Sequence, residues 1–305
     1  MSSAKPAWRS VHGILLLDKP QGLSSNQALQ RVRHLYRAEK AGHTGSLDPL
    51  ATGLLPICFG EATKIAGLLL GSRKAYETEC LLGITTTTDD AEGAAVTQRP
   101  VPALDDALIR AELAKLTGRI TQVPPIYSAL KQAGVPLYKR ARRGEDVIAP
   151  PREVDVYRFQ LLENSGDRLR LLIECGSGTY VRSLARDLGE QLGCGAHVTA
   201  LRRLWVEPFG EPQMSCLDEL AALAETDAQA LDQRLLPLEQ GLAGYPRVHL
   251  DEASVVRLRQ GQVVESPNPA LAGRCVALDE AGRAVAMAEC DVDGRLRALR
   301  GFNPG

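Results

Sequence analysis

Residues 168–193, RLRLLIECGSGTYVRSLARDLGEQLG, read as a strand, a glycine turn and a helix in one stretch. Apolar residues alternate as far as Cys175, and beyond Gly178 they fall at helical spacing. Units of this kind recur along the chain, so strands and helices are interleaved. HGILLLDKPQG is a short apolar strand that ends at the Pro20–Gly22 turn. SSNQALQRVRHLYRA follows as a helix, with Ser24 or Ser25 as its cap and Ala28, Val32 and Leu35 on one face. GLLPICFG predicts a strand, EATKIAGLLLGS a helix stopped by Gly71, and KAYETECLLGITTTT a strand rich in β-branched residues. LDDALIRAELAKLTG is the clearest helix: acids in its first turn, lysine near its end, glycine after it. HVTALRRLWVEPFG reads as a further strand. Residues 210–240 carry seven acids and one arginine and read as solvated helix. From about Tyr245 short pieces with glycine turns predict a small β-rich domain of about sixty residues.

At 305 residues the chain is long enough for two domains and a sizeable core. Its net charge of −1 shows no global attraction to a polyanion, although a local patch suffices for that. The seven cysteines are scattered without a CxxC pair, which suggests reduced, buried thiols and a cytoplasmic protein. The apolar run Ile14–Leu17 is too short for a signal peptide, and IAGLLLG is far short of a membrane span.

The loop GHTGSLDPLATG, residues 42–53, holds a single acid, Asp48. Pro49 drives Asp48 toward an extended conformation. An Asp–Pro pair is also a good helix start. Against that, His43, Thr44 and Ser46 crowd the loop, glycines at 42, 45 and 53 allow close approach, and no periodic helix follows. A carboxylate here suits a nucleophile, a base or a metal ligand. The metal reading lacks a third ligand, and the phosphate-loop reading fails because Glu61, not lysine, follows Gly60. Arg182 falls near the first turn of the helix after Gly178, where the helix dipole disfavours a cation. It needs an anionic partner, and Asp48 is a candidate that such a pair would keep ionised. Tyr76, in a strand, is either packing or a hydroxyl for a dry pocket.

Residues 119–152 form a proline-bounded excursion with seven basic residues against two acids. Lys131, Lys139, Arg140, Arg142 and Arg143 lie there beside Tyr138. Such an arm suits the backbone of a folded RNA, while the acidic 210–240 segment repels it.

LLLDKPQGLSS, KAGHTGSLDPLATGLLPICFGEATK, KAYETECLLGITTTTDDAEG, PPIYSALKQAGVPLYKRARRGE and CGSGTYVRSLARDLGEQLG resemble, in order, the motifs of the bacterial tRNA pseudouridine-55 synthases of the TruB type. The resemblance runs from about residue 12 to 209. It implies an α+β fold: a mixed, largely antiparallel sheet with flanking helices over residues 1–244, and a PUA-like RNA-binding domain over 245–305. It implies isomerisation of one flipped-out uridine in the T arm of tRNA, without cofactor or metal, by a monomer. Carried over by motif, Asp48 is the catalytic nucleophile or base, Tyr76 the pocket tyrosine and Arg182 the partner of the aspartate. His43, Tyr180 and Leu201 contact the substrate, with Lys19 and Lys64 as supporting charges. The route (addition to C6, attack on C1′ or a glycal) stays open.

Two other classes remain beside this one. A tRNA-binding or folding module would use the same basic arm with no chemistry at Asp48. A carboxylate hydrolase would need a second acid beside Asp48, and the sequence nominates none. Deletion after about Gly244 is expected to weaken substrate capture and leave chemistry possible.

Overall fold

The computed structural model describes residues 7–71, 73–128, 130–132, 134–141, 143–145, 147–268 and 270–303, without the side chains of Lys131, Pro136, Tyr138 and Ala228. The chain runs through β1 (Gly13–Lys19), α1 (Ser25–Leu35), β2 (Ala41–His43), β3 (Thr52–Phe59), α2 (Ala66–Leu70), β4 (Lys74–Leu82), β5 (Ile84–Thr86), β6 (Ala95–Gln98), α3 (Asp106–Lys115) and β7 (Gly118–Gln122). It continues through β8 (Lys131–Gln132), β9 (Val135–Pro136), α4 (Leu137–Ala141), β10 (Arg152–Asn164), β11 (Arg168–Cys175), α5 (Val181–Gln191) and β12 (Ala196–Val206). After α6 (Leu217–Thr226) and α7 (Ala228–Asp232) comes the last part: β13 (Arg247–His249), α8 (Glu252–Arg259), β14 (Val264–Glu265), β15 (Gly273–Leu278), β16 (Ala284–Cys290) and β17 (Arg295–Gly301).

One eight-stranded sheet has the order β1-β3-β12-β4-β11-β10-β7, with β2 added on β3. Its pairings are antiparallel except that of β12 with β3. Gly53 makes the parallel contact possible. Its φ is +93°, and a Cβ there would lie 2.2 Å from the carbonyl oxygen of Arg203, so no other residue fits. A second, five-stranded sheet has the order β13-β15-β16-β17-β14. The fold is therefore mixed α+β, with a mostly antiparallel main sheet and a β-rich C-terminal part.

Local sequence explains most elements. Ser24 caps α1 in a reciprocal box with Gln27, and Asp105 caps α3 by accepting from the Leu108 amide. Gly83, at φ +85°, breaks the expected KAYETECLLGITTTT strand, and β5 leaves the main sheet to pair with β6. The expected helix at EATKIAGLLLGS is 3₁₀ over Gly60–Ile65 before α2 begins. Arg119 and Arg152 belong to the main sheet, in β7 and β10, so the excursion proper spans 123–151.

Helices α1, α3 and α5 cover one core, in which Val32, Leu55, Ile109, Leu171 and Leu184 are buried. A second core joins the two parts of the chain: Ile14, Leu16, Leu54 and Leu242 pack in one cluster with Val276, Met287 and Phe302. Phe302 is fully buried, the Lys64 ammonium donates to the Gly301 carbonyl (2.9 Å), and the Asn303 amide donates to Glu61 (2.7 Å). Residues of β15 and β16, with Phe302 just after β17, thus help to cover β1 and β3.

Candidate active site

The Asp48 loop connects β2 to β3 and is fixed on both sides of the acid. The Ser25 hydroxyl, in the first turn of α1, donates to the Leu47 carbonyl (3.0 Å) and accepts from the Leu47 amide (2.7 Å). The Pro49 carbonyl accepts from the Gly22 amide (2.8 Å), and the Asp48 carbonyl from the Ala51 amide (3.1 Å). Lys19, fully buried at the end of β1, donates to the carbonyls of Pro20 (2.8 Å) and Leu23 (2.6 Å). Burial brings its pKa down to about 8, with Asp48 opposing the shift.

Arg182 lies in the first turn of α5 with its side chain 5% exposed. Its Nε is 3.0 Å from Asp48 Oδ2 and its Nη1 is 3.3 Å from Asp90 Oδ2. Nη1 also donates to the Thr88 carbonyl (2.7 Å), and Nη2 to the Tyr127 carbonyl (3.0 Å). Two carboxylates and two carbonyls offset the unfavourable place of a cation at a helix start. Asp90 is the second acid that sequence reasoning missed. It is buried, and it accepts from Thr88 Oγ1 (2.5 Å) and the Glu92 amide (3.1 Å), so it braces Arg182 and does not face the cleft.

Asp48 is 42% exposed, open to the cleft on one side and enclosed on the others. Enclosure raises its pKa above the ordinary aspartate value; Arg182 and Lys19 pull it down and Asp90 pushes it up. The arginine offsets only part of the cost of removing the carboxylate from water.

A cleft of about 620 Å³ opens over Asp48. Tyr76 of β4, Leu201 of β12, and Tyr180 and Arg182 at the head of α5 line it with Asp48. The glycine turn 176–178 forms one wall, where Gly178 has φ +87°. Tyr180 is held by Gln122, whose side chain accepts from its amide (2.8 Å) and donates to its carbonyl (3.1 Å). Burial pushes the Tyr76 phenol upward, with Arg203 opposing, so it stays neutral. Arg152 also lines the cleft, stacked 4.9 Å over the Tyr180 ring. Its Nε and Nη2 have no hydrogen-bond partner, and no carboxylate pairs with it among the described residues. Sequence reasoning counted it only as the end of the basic excursion.

Lys19, His43 and Lys64 do not line the cleft. Lys19 secures the loop, and Lys64 sits at the seam with the C-terminal part beside Glu61 (2.6 Å). His43 ends β2; burial, with Arg203 nearby, lowers its pKa. In the arm, Arg140 bonds Glu145 and Gln132 (both 2.6 Å), whereas Lys139 and Arg143 are exposed. Arg142 and the Lys131 side chain lie outside the described residues. No cluster of metal ligands occurs among the described residues, and no helix there is long and apolar enough to cross a membrane.

The fold has known counterparts. The structure entitled "Crystal structure of the archaeal box H/ACA sRNP Nop10-Cbf5 complex" matches over 99% of this chain and 93% of its own, with TM-score 0.74 and 21% identity, a likeness of fold alone. The sequence narrows this further. Residues 33–181 match the TruB family pseudouridylate synthase (N terminal domain), 182–243 the tRNA pseudouridylate synthase B C-terminal domain, and 246–302 the Pseudouridine synthase II TruB, C-terminal family. The chain belongs to the TruB family of pseudouridine synthases. The tRNA pseudouridine synthase B of Xanthomonas campestris pv. campestris (strain B100) is 58% identical over 97% of this chain and 96% of its own. Those of Xylella fastidiosa (strain Temecula1 / ATCC 700964) and Pseudomonas fluorescens (strain Pf0-1) are 55% and 50% identical, covering 99% and 98% of this chain and 100% and 98% of their own.

Proposed function

We propose that this enzyme isomerises uridine 55, in the T arm of tRNA, to pseudouridine, with Asp48 as the reactive carboxylate. The relatives' names supply the tRNA, and the resemblance of the motifs supplies the position. The observation that carries the chemistry is the Asp48–Arg182 pair facing a cleft of about 620 Å³ lined by Tyr76 and Tyr180. That volume lies within the range of roughly 300–1,000 Å³ typical of small-ligand clefts.

The reaction breaks the bond from C1′ to N1 and forms one from C1′ to C5. The C5 proton leaves and N1 gains one, so atoms and electrons balance without an oxidant or water. The Asp48 carboxylate acts as nucleophile or base, oriented by Arg182. A stacked uridine must swing out to reach it, at a cost of a few kcal/mol. Exposed cations of the arm and Arg152 in the cleft are placed to compensate by holding phosphates.

Pseudouridine has the mass of uridine, so the test is carbodiimide labelling of pseudouridine in previously unmodified tRNA after incubation with the enzyme, with the labelled position read by primer extension. Pseudouridine at position 55 is expected, and none with Asp48→Asn, whose tRNA affinity stays within about tenfold, or about 1.4 kcal/mol. Modification at a normal rate by Asp48→Asn would refute the role of the aspartate, whereas no modification by the parent protein would favour a tRNA-binding module.

A further inference from the structure

The resting geometry of Asp48 depends on a residue that never meets the cleft. Ser25 belongs to α1, is 3% exposed, and is absent from the cleft lining. Its hydroxyl nevertheless makes two bonds to the residue before Asp48: it donates to the Leu47 carbonyl at 3.0 Å and accepts from the Leu47 amide at 2.7 Å. One rotor thus holds the peptide groups on both sides of Leu47. The second of these is the peptide that carries the Asp48 nitrogen.

On the far side of the acid, the Gly22 amide holds the Pro49 carbonyl at 2.8 Å, and the proline ring fixes its own φ. Asp48 is therefore suspended between two anchors, Gly22 from the β1–α1 connection and Ser25 from the first turn of α1. Without the Ser25 anchor the segment 44–47 keeps two hydrogen bonds at its far end, from the Thr44 amide to the Pro56 carbonyl (3.1 Å) and from Arg203 Nη2 to the Gly45 carbonyl (3.2 Å), while the Thr44 hydroxyl is buried without a partner.

We propose that Ser25 is a positioning residue for the reaction: its hydroxyl sets the direction in which the Asp48 carboxylate enters the cleft. The proposal rests on the reading of Asp48 as the reactive group. Arg182 holds the carboxylate at its tip, through a side chain that must also serve Asp90. Ser25 holds the same residue at its root. A carboxylate secured only at its tip swings about the guanidinium, and misplacement by about 1 Å costs on the order of a hundredfold in rate.

The test compares Ser25→Ala and Ser25→Cys with the parent enzyme in single-turnover release of tritium from tRNA labelled at C5 of uridine. The thiol, somewhat larger than the hydroxyl, fills its space but donates and accepts weakly, so the cysteine variant leaves no cavity. The expected result is a rate constant about ten- to a hundredfold lower for alanine, with a smaller loss for cysteine. Apparent tRNA affinity should stay within about threefold for both, because Ser25 itself does not line the cleft and reaches it only through the Leu47 backbone. If alanine prevents folding, the cysteine variant decides.

Full-rate turnover by either folded variant overturns the proposal. So does a loss of affinity equal to the loss of rate, which would make Ser25 a general support of the fold. Asp48→Asn, assayed in parallel, separates this outcome from failure of the underlying reading. An inactive Asp48→Asn beside a full-rate Ser25→Ala refutes only the role of Ser25, whereas an active Asp48→Asn refutes the reading itself.

Discussion

Arg182 Nη1 lies 3.3 Å from Oδ2 of Asp90, whose side chain, at 3% exposed, is as deeply buried as the arginine itself. One guanidinium thus answers two carboxylates, one sealed in the protein and one open to the cleft. Asp90 has a structural claim on the arginine and Asp48 a chemical one.

Replacing the sealed partner should therefore damage chemistry without touching the cleft. Asp90→Asn keeps a hydrogen-bonding side chain but removes its charge. Breaking a buried pair costs about 3–5 kcal/mol, less here because Asp48 still pairs with the arginine. A drop in urea midpoint is expected, with a rate constant about tenfold lower as Arg182 loses its brace. Unchanged stability and rate would mean that Asp48 and the two carbonyls hold the arginine unaided.

The pH dependence follows from the direction of the Asp48 shift. Enclosure holds its pKa above 3.8 in the folded protein. The reactive form is the carboxylate, so the single-turnover rate should rise with pH through a midpoint above that value. Stability has the opposite sign. Between the unfolded and folded pKa values the native state binds more protons, so stability falls as pH rises through that window. Asp48→Asn should abolish this contribution to the stability slope, and Asp90→Asn, which removes a like charge, should move the rate midpoint down. Both are read from stopped-time assays and denaturation over about pH 4 to 8.

The seam between the two parts of the chain makes a prediction of its own. Phe302, near the end of the chain, is fully buried in the cluster that contains Ile14 and Leu54. Phe302→Ala should cost about 3–5 kcal/mol, measured by urea unfolding. It should lower the stability of the whole chain in one transition. Two separate transitions, with that of the main sheet unchanged, would contradict a shared core.

Much of this was legible in the sequence for identifiable reasons. Ser24 and Gln27 announce the start of α1, and Asp105 that of α3, because capping is local chemistry. Arg182 signals a partner because a cation at a helix start is anomalous, and the Asp48 loop stands out by its glycines. The arrangement of the main sheet and the identity of the reaction came from the resemblance, since neither is encoded in local pattern. Asp90 was not legible. Nothing in TDDAEG tells its two adjacent acids from those of an exposed turn, and only a tertiary contact with Arg182 buries the second. Phe302 was missed for the same reason, since a lone aromatic after a strand does not declare which core it joins. Gly83 ended β4 where β-branched residues on both sides suggested one continuous strand.

The basic arm does not act as one uniform patch. Arg140 is committed to Glu145 and Gln132, while Lys139 and Arg143 project into solvent, Arg143 with 66% of its side chain exposed and 3.9 Å from Glu145. A phosphate contact releases counterions only if the cation is available to make it. Lys139→Ala and Arg143→Ala together should flatten the plot of log affinity against log salt by roughly 1 per lost contact, and weaken tRNA binding at low salt most. Arg140→Ala should change the slope less, because Glu145 already neutralises the arginine before RNA arrives. Binding isotherms at several salt concentrations measure both slopes. Equal slopes for the parent and the Lys139/Arg143 double variant would remove these two cations from the RNA contact and leave Arg152, inside the cleft, as the cation best placed to meet a phosphate.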